Sequence, residues 1–130
     1  MAHTILSIED QPDIRRLIRM TLEFKGYEVV EAGDGMQGLE LARQSPPDLI
    51  LLDVMMPGID GHEVARRLQA DARTRDVPVV MISALGQTVE VEAGLMSGAL
   101  HYLVKPFSPW ELLDLAARLV ARSPGQEQSA

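Results

Sequence analysis

The chain has 130 residues, of which 46% are hydrophobic and 24% are charged, as expected of one water-soluble globular domain. A net charge of −7 without a basic stripe argues against direct nucleic-acid binding, and no apolar run approaches the ~20 residues that cross a bilayer. The lack of cysteine excludes a disulfide framework and a thiolate metal site, and no secretory signal opens the sequence, so we expect a cytoplasmic protein.

The first half of the chain alternates strand-like and helix-like stretches. Pro12 suits a first helical turn and opens a stretch with apolar residues at helical spacing, which Gly26 ends. Asp34 is placed to cap the next helix. The run from Leu49 to Leu52 has no polar residue, as expected of a strand covered on both faces in a parallel sheet. The predicted strands are 4–8, 27–32 and about 48–53, and the second helix ends before residue 45.

The second half continues this alternation. Asp60 is predicted to cap a helix from Gly61 to Ala70. The stretch from Gln87 to Ser97 predicts a poor fourth helix, because it contains β-branched residues and a glycine. Ser108 and Glu111 predict a capping box at the start of the last helix. The other elements of this half are strands at 77–82 and 100–104 and the remainder of the last helix, to about residue 122.

The whole pattern is a strand followed by a helix, repeated five times. Connections of this length between strands accommodate crossover helices, which place neighbouring strands in parallel. We therefore predict an α/β fold with a doubly wound, five-stranded parallel sheet and helices on both faces. Residues 4–122 are predicted to form the domain, and the small polar residues 123–130 to form a disordered tail.

Polar residues follow four of the five predicted strands. Glu9 and Asp10 follow the first strand, and Asp53 ends the third. Ser83 and Lys105 follow the fourth and fifth. Because the carboxyl ends of parallel strands share one edge, these side chains can converge there. Three carboxylates together need a cation, and oxygen ligands suit Mg²⁺, while a lysine and a hydroxyl suit a phosphoryl group. The pattern predicts phosphoryl transfer to Asp53.

Four segments of the chain carry a resemblance to a known family. In order, they combine an acid pair, an acid before Met-Met-Pro-Gly, a strand-end Ser-Ala and a Lys-Pro-Phe, each at a predicted strand end. The chain resembles a response-regulator receiver domain of bacterial two-component signalling over roughly residues 4–121, which implies a flavodoxin-like receiver topology. The segments are Ile8-Glu9-Asp10-Gln11-Pro12, Leu52-Asp53-Val54-Met55-Met56-Pro57-Gly58-Ile59-Asp60-Gly61, Ile82-Ser83-Ala84 and Gly98-Ala99-Leu100-His101-Tyr102-Leu103-Val104-Lys105-Pro106-Phe107.

The resemblance implies roles for the acidic residues. Asp53 is implied to be the phosphoacceptor, which takes the phosphoryl group from a phosphohistidine on a histidine kinase or a histidine phosphotransfer protein. Asp10 and Asp53 are implied to ligate Mg²⁺ directly, together with the backbone carbonyl of Met55. Glu9 is implied to act on the metal mostly through water.

The resemblance also implies a switch beside these acids. Lys105 is implied to pair with Asp53 and then with a phosphoryl oxygen, and the Lys105–Pro106 bond to be cis. Ser83 is implied to move toward the phosphoryl oxygen, and Tyr102 to turn inward after it. Both residues therefore count as switch residues, and Ser83 and Lys105 also serve the transfer to Asp53.

The implied output is a changed surface formed by the fourth predicted helix, the last strand and the last helix. A downstream effector or an output domain is implied to bind this surface. The low helix propensity of residues 87–97 is consistent with a segment that has two arrangements. The module is implied to catalyse only its own phosphorylation and dephosphorylation, so we do not expect a conventional enzyme.

Two positions in the family tune the loss of the phosphoryl group. They lie two residues after the phosphoacceptor and two residues after Ser83, and here they hold Met55 and Leu85. Neither side chain can orient an attacking water. We therefore expect slow autodephosphorylation of the aspartyl phosphate.

Two other functions are weighed against this one. An aspartyl-phosphate phosphatase or phosphotransferase of the haloacid-dehalogenase type typically has a second Asp two positions after its nucleophile, where Met55 stands. A flavodoxin-like cofactor binder needs a phosphate-cradling loop after the first strand, where Glu9 and Asp10 would repel a phosphate.

Two surfaces are left open by the sequence. Arginines of the first helix predict a solvated face, and contact with an acidic partner is the alternative. A second apolar stripe on the last helix predicts ordinary packing, with a homodimer or docking to another domain through this face as the alternative. The arginines are Arg15, Arg16 and Arg19, and the stripe is Leu113, Ala117 and Val120.

Overall fold

The structure, a computed structural model, describes residues 2–84 and 100–120. Five parallel strands form one sheet with helices on both faces, which confirms the predicted fold. The strands are β1 (Thr4–Ile8), β2 (Glu28–Ala32), β3 (Leu49–Asp53), β4 (Val79–Ala84) and β5 (Leu100–Lys105), and they lie in the order β2-β1-β3-β4-β5. The helices are α1 (Pro12–Phe24), α2 (Gly35–Gln44), α3 (Gly61–Ala70) and α4 (Pro109–Val120).

The sheet separates two hydrophobic layers. One layer packs under α2 and α3 and includes Leu39 and Leu68. The other packs under α1 and α4 and includes Ile18 and Leu115. Because β3 lies at the centre of the sheet, every one of its residues is buried, as its apolar sequence predicts. Val120, which belongs to the second apolar stripe of the last helix, is 3% exposed and lies in the second layer, in agreement with the ordinary packing predicted for it.

Local capping explains where most helices begin and end. Pro12 is the first helical residue of α1, and Gly26 follows the end of that helix with a φ of +88°. The side chains of Asp34 and Asp60 accept hydrogen bonds from backbone N–H groups in the first turns of α2 and α3. Ser108 forms the predicted reciprocal bonds with the residue three positions on, at the start of α4.

Several strand boundaries differ from the prediction by one or two residues. β4 begins at Val79 rather than at Val77, because Val77 N–H is bonded to the turn carbonyl of Thr74 and Pro78 has no N–H to donate. The Pro78 carbonyl still accepts from Ile50 N at 3.0 Å. At the other end β4 reaches Ala84, which pairs with Lys105 and so extends β5 by one residue beyond its predicted end.

Some predictions fall outside the described residues. These are the helix at 87–97, the dephosphorylation position Leu85, the end of the last helix near residue 122 and the tail at 123–130. None of the helices found in residues 2–84 and 100–120 is long and apolar enough to cross a membrane.

Candidate phosphoacceptor site

The carboxyl edge of the sheet gathers the polar residues that end the strands. Asp53 is the last residue of the central strand β3. Glu9 and Asp10 follow β1 on one side of it, and Ser83 lies near the end of β4 on the other. Lys105 ends the edge strand β5 and reaches back across β4 to Asp53. The parallel topology therefore brings together residues that are up to 96 positions apart in the chain.

Three acidic side chains form a compact oxygen cluster at this edge. One carboxylate oxygen from each of Glu9, Asp10 and Asp53 lies within 4.8 Å of the others. Glu9 is 1% exposed and Asp53 is 4% exposed, whereas Asp10 is partly exposed. Within the described residues, the buried Oε1 of Glu9 has no hydrogen-bond partner. Hard oxygen donors with an unsatisfied buried oxygen fit a divalent cation such as Mg²⁺.

Lys105 supplies positive charge to the cluster. Its Nζ atom lies 3.3 Å from Asp53 Oδ2 and 3.6 Å from Glu9 Oε1. The peptide bond between Lys105 and Pro106 is cis, as the resemblance implies. The ammonium group bridges two of the three acids, so it offsets part of their mutual repulsion.

The buried position of Glu9 beside Asp53 changes the pKa of its carboxyl group. Burial away from water raises the pKa of its carboxyl group, and the neighbouring Asp53 carboxyl raises it further, to about 7 instead of 4.5. A backbone hydrogen bond from Gln11 N and the charge of Lys105 lower the pKa of Glu9, but by less. Without a cation, Glu9 therefore holds a proton at a pH where an exposed glutamate has lost it.

The backbone around Asp53 is fixed on both sides. Val54 N donates to Ile82 O of β4 at 3.0 Å, and Gly61 N at the start of α3 donates to Val54 O at 3.0 Å. Met55 N donates to Asp53 Oδ1 at 3.0 Å, which holds one carboxylate oxygen in place. The Met55 side chain is 62% exposed, so it does not enclose the site.

The two predicted switch residues lie in different environments. Ser83 is 1% exposed and its Oγ has no hydrogen-bond partner among the described residues. Ser7, in the interior of β1, has the same property, so an unpartnered hydroxyl does not by itself mark a functional group. Tyr102 is partly buried against the hydrophobic layer under α2 and α3, on the strand next to Met81.

Comparison with known proteins decides the family. The model of the response regulator receiver domain matches residues 5–117, which is most of the chain. The chain belongs to the response-regulator receiver family. It is a signalling domain of two-component systems, and the comparison does not favour the aspartyl-phosphate phosphatase or phosphotransferase.

Individual relatives agree with this assignment. The receiver domain is 46% identical over 126 residues to the DNA-binding dual master transcriptional regulator RpaA of Synechocystis, covering 97% of this chain and 52% of RpaA. It is 43% identical over 127 residues to the phosphate regulon transcriptional regulatory protein PhoB of Pseudomonas aeruginosa, covering 97% of this chain and 56% of PhoB. The chain thus spans about half the length of these curated relatives.

Solved structures confirm the fold of the receiver domain. The chemotaxis response regulator CheY4 of Vibrio cholerae matches with a TM-score of 0.85 at 31% identity, over 92% of this chain and 99% of that one. The receiver domain of NtrX from Brucella abortus matches with a TM-score of 0.85 at 30% identity, over 92% and 99% of the two chains. The net charge predicts that this chain makes no direct contact with nucleic acid. Since relatives such as RpaA are described as DNA-binding, this stays a prediction.

The sequence did not indicate two residues that contact the backbone of this receiver site. Arg15 was expected on a solvated face, yet its Nη1 donates to the backbone carbonyl of Glu9 at 2.9 Å. Gly61 was expected as the start of a helix and lies in a segment that carries the resemblance, but its close contact was not predicted: a Cβ atom there would lie 2.6 Å from the carbonyl oxygen of Asp53. Both contacts are with backbone atoms across the fold, which helical periodicity does not reveal.

Proposed function

We propose that Asp53 is the phosphoacceptor of this receiver domain and that Glu9, Asp10 and Asp53 hold the Mg²⁺ required for phosphorylation. The observation that carries the proposal is the cluster of three carboxylates within 4.8 Å, two of them contacted by Lys105. The backbone carbonyl of Met55 is proposed as a further ligand, because the hydrogen bond from Met55 N to Asp53 Oδ1 keeps the backbone of this residue beside the site. Glu9 is proposed to act mostly through water.

In the proposed reaction an oxygen of the Asp53 carboxylate attacks the phosphorus of a phosphohistidine. The P–O bond forms while the P–N bond breaks, and the imidazole leaves with the electron pair. Lys105 Nζ is 3.3 Å from Asp53 Oδ2, from where it can move its charge onto a phosphoryl oxygen. Bound Mg²⁺ supplies the additional positive charge that offsets the repulsion between the acids and the incoming oxygens.

Ser83 and Tyr102 are proposed to transmit the phosphorylated state. The buried Ser83 hydroxyl has no partner among the described residues and can donate a hydrogen bond to a phosphoryl oxygen on Asp53. Movement of Ser83 frees space into which the partly buried Tyr102 turns. The resulting change in β5, α4 and residues 87–97, of which the last lie outside the described residues, is the surface that an effector or output domain binds.

The phosphodonor is proposed to be a histidine kinase or a histidine phosphotransfer protein. An apolar groove of about 360 Å³ between α1 and α4 is lined by Leu17 and Trp110, among others, and these two side chains are 50% and 73% exposed. Leu17 also lines a second apolar groove that includes Lys105, so this surface continues to the carboxyl edge of the sheet, where Asp53 lies. The alternative occupant of this groove is a second copy of the chain, in a homodimer through the α4 face. A cytoplasmic location is proposed because the proposed phosphodonors act there.

The proposal is tested by incubation with acetyl phosphate and mass spectrometry of the intact protein. With Mg²⁺, the wild type is expected to gain one phosphoryl group that hydroxylamine removes, whereas Asp53→Asn and wild type in EDTA gain none. Phosphorylation of Asp53→Asn to the same extent would exclude this acceptor. Rapid release of phosphate over many turnovers would instead favour an aspartyl-phosphate phosphatase, and thereby contradict a module that catalyses only its own phosphorylation.

A further inference from the structure

The backbone of Glu9 is held at both its N–H group and its carbonyl group. Glu9 N donates to Ala32 O at the end of β2 at 3.0 Å, and Glu9 O accepts from Arg15 Nη1 at 2.9 Å. Because a peptide unit is planar, fixing the carbonyl oxygen of Glu9 also fixes the nitrogen and Cα of Asp10. The residue that follows an anchored carbonyl therefore has little freedom in where its side chain begins.

Arg15 is itself anchored by an ion pair. Its Nε lies 3.7 Å from Glu31 Oε2, and Arg19 Nη1 lies 3.0 Å from the other oxygen of the same carboxylate. The guanidinium also lies close to the turn after β2, where a Cβ atom at Gly33 would be 3.5 Å from Arg15 Nη1. One side chain of α1 thus connects the end of β1 with the end of β2.

Asp10 depends on this backbone anchor more than the other acids of the cluster do. Glu9 accepts a hydrogen bond from Gln11 N, and Asp53 accepts one from Met55 N. Within residues 2–84 and 100–120, no hydrogen bond or ion pair fixes the carboxylate of Asp10, although it completes the cluster of three. Its position relative to the other two carboxylates is set by the backbone that carries it.

We propose that Arg15 is a positioning residue for cation binding: by holding the Glu9 carbonyl, it places the Asp10 carboxylate against Glu9 and Asp53. The inference rests on the proposed Mg²⁺ site and assigns to it a residue that contacts no phosphoryl group and no metal. Charge alone predicts the opposite effect, since the guanidinium is positive and repels a cation. The sign of the change in affinity therefore separates positioning from simple electrostatics.

The experiment is calorimetric titration of the full chain with MgCl₂, without a phosphodonor. Arg15→Lys keeps the charge but loses the fork that spans Glu9 and Glu31, and Arg15→Met loses both. Each is expected to raise the Kd for Mg²⁺ by about tenfold, as for other residues that orient a metal ligand. Arg19→Met is the matched control, because it removes a positive charge beside the same glutamate but has no contact with Glu9 O. It is expected to change the Kd by less than about twofold.

The outcomes separate this inference from the proposed function. If the wild type binds no Mg²⁺, the metal site and the role of Arg15 both fail. If the wild type binds Mg²⁺ and both Arg15 variants bind it as well as the wild type or more tightly, the role of Arg15 alone fails. Thermal unfolding in EDTA checks the fold, and a lowered Tm with unchanged Kd means a purely structural residue. If Arg15→Met does not fold, the Kd values of Arg15→Lys and Glu31→Gln decide the role of Arg15, because Glu31→Gln removes the ion pair that anchors it.

Discussion

The carboxyl group of Glu9 is buried, and burial disfavours its charged form. Its pKa is raised from 4.5 to about 7 by burial and by Asp53, so the folded protein binds this proton more tightly than the unfolded chain does. The stability that Glu9 contributes is therefore fully present below pH 4.5 and is lost as the pH rises through about 7. In EDTA, we expect this to lower the free energy of unfolding by on the order of 1–3 kcal/mol over that interval.

Urea unfolding of the wild type and of Glu9→Gln, from pH 4.5 to 7.5, checks this expectation. Glutamine keeps the size of the neutral acid and does not titrate, so the difference in unfolding free energy between the two proteins isolates Glu9. The variant should gain stability relative to the wild type as the pH rises. A difference that stays constant, or that changes in favour of the wild type, contradicts the raised pKa.

Met55 is expected to lengthen the lifetime of the phosphorylated state. Its side chain cannot hydrogen-bond an attacking water, and neither can Leu85, which lies outside the described residues. Met55→Asn with Leu85→Glu is expected to accelerate loss of the phosphoryl group by about tenfold, because both new side chains can orient water. The decay is followed after removal of the small-molecule phosphodonor, and an unchanged rate in the double variant contradicts the assignment.

Some residues of the site can be predicted from the sequence, and others cannot. Asp53 and Lys105 stand at strand ends, which predicts that they lie at one edge of a parallel sheet, and the structure places Lys105 Nζ 3.3 Å from Asp53 Oδ2. The contact of Arg15 could not be predicted, because its spacing on α1 is that of a solvated face. Its partner is the backbone carbonyl of Glu9, which follows β1. Side-chain-to-backbone contacts across a fold leave no periodic signal in the sequence.

At the scale of elements, local signals placed the helices better than the strands. Asp34 and Asp60 cap helices where their sequence positions predict, because a cap depends on residues three positions away. The start of β4 was predicted two residues early, since the apolar run includes Val77 and Pro78. Which of those residues joins the ladder depends on pairing with β3, which is not a local property.

The junction of α3 with β3 yields a prediction about close packing. A Cβ atom at Gly61 would lie 2.6 Å from Asp53 O and 2.8 Å from Val54 Cα, both of which are backbone atoms. Gly61→Ala is therefore expected to destabilise the protein by about 1–3 kcal/mol and to slow phosphorylation, because α3 or the acceptor strand must shift.

Gly38→Ala in α2 is the matched control for this substitution. A Cβ atom there would meet the side chain of Ile8 at 2.4 Å, and a side chain can move more easily than a strand backbone. Urea unfolding and the rate of phosphorylation by acetyl phosphate are measured for both variants. An equal loss of stability with an unchanged phosphorylation rate in both would mean that Gly61 has no special relation to the acceptor.

At the scale of the whole molecule, the two hydrophobic layers cover the two faces of the sheet, and the candidate site lies at its carboxyl edge. The repeated strand–helix pattern predicts a parallel sheet with both faces covered, and both layers are present. The pattern alone does not give the order β2-β1-β3-β4-β5, which places β3 at the centre. That order is what brings Glu9, Asp10 and Lys105 around one carboxylate.

The role of Asp53 as the phosphoacceptor is tested most directly by locating the phosphoryl group. After incubation with acetyl phosphate and Mg²⁺, borohydride reduction converts a phosphorylated aspartate into homoserine, which peptide mass spectrometry assigns to a position. Homoserine is expected at residue 53, and no reduced residue is expected at Asp10. Conversion at Asp10, or no conversion at residue 53 in a protein that has gained a phosphoryl group, would contradict this role of Asp53.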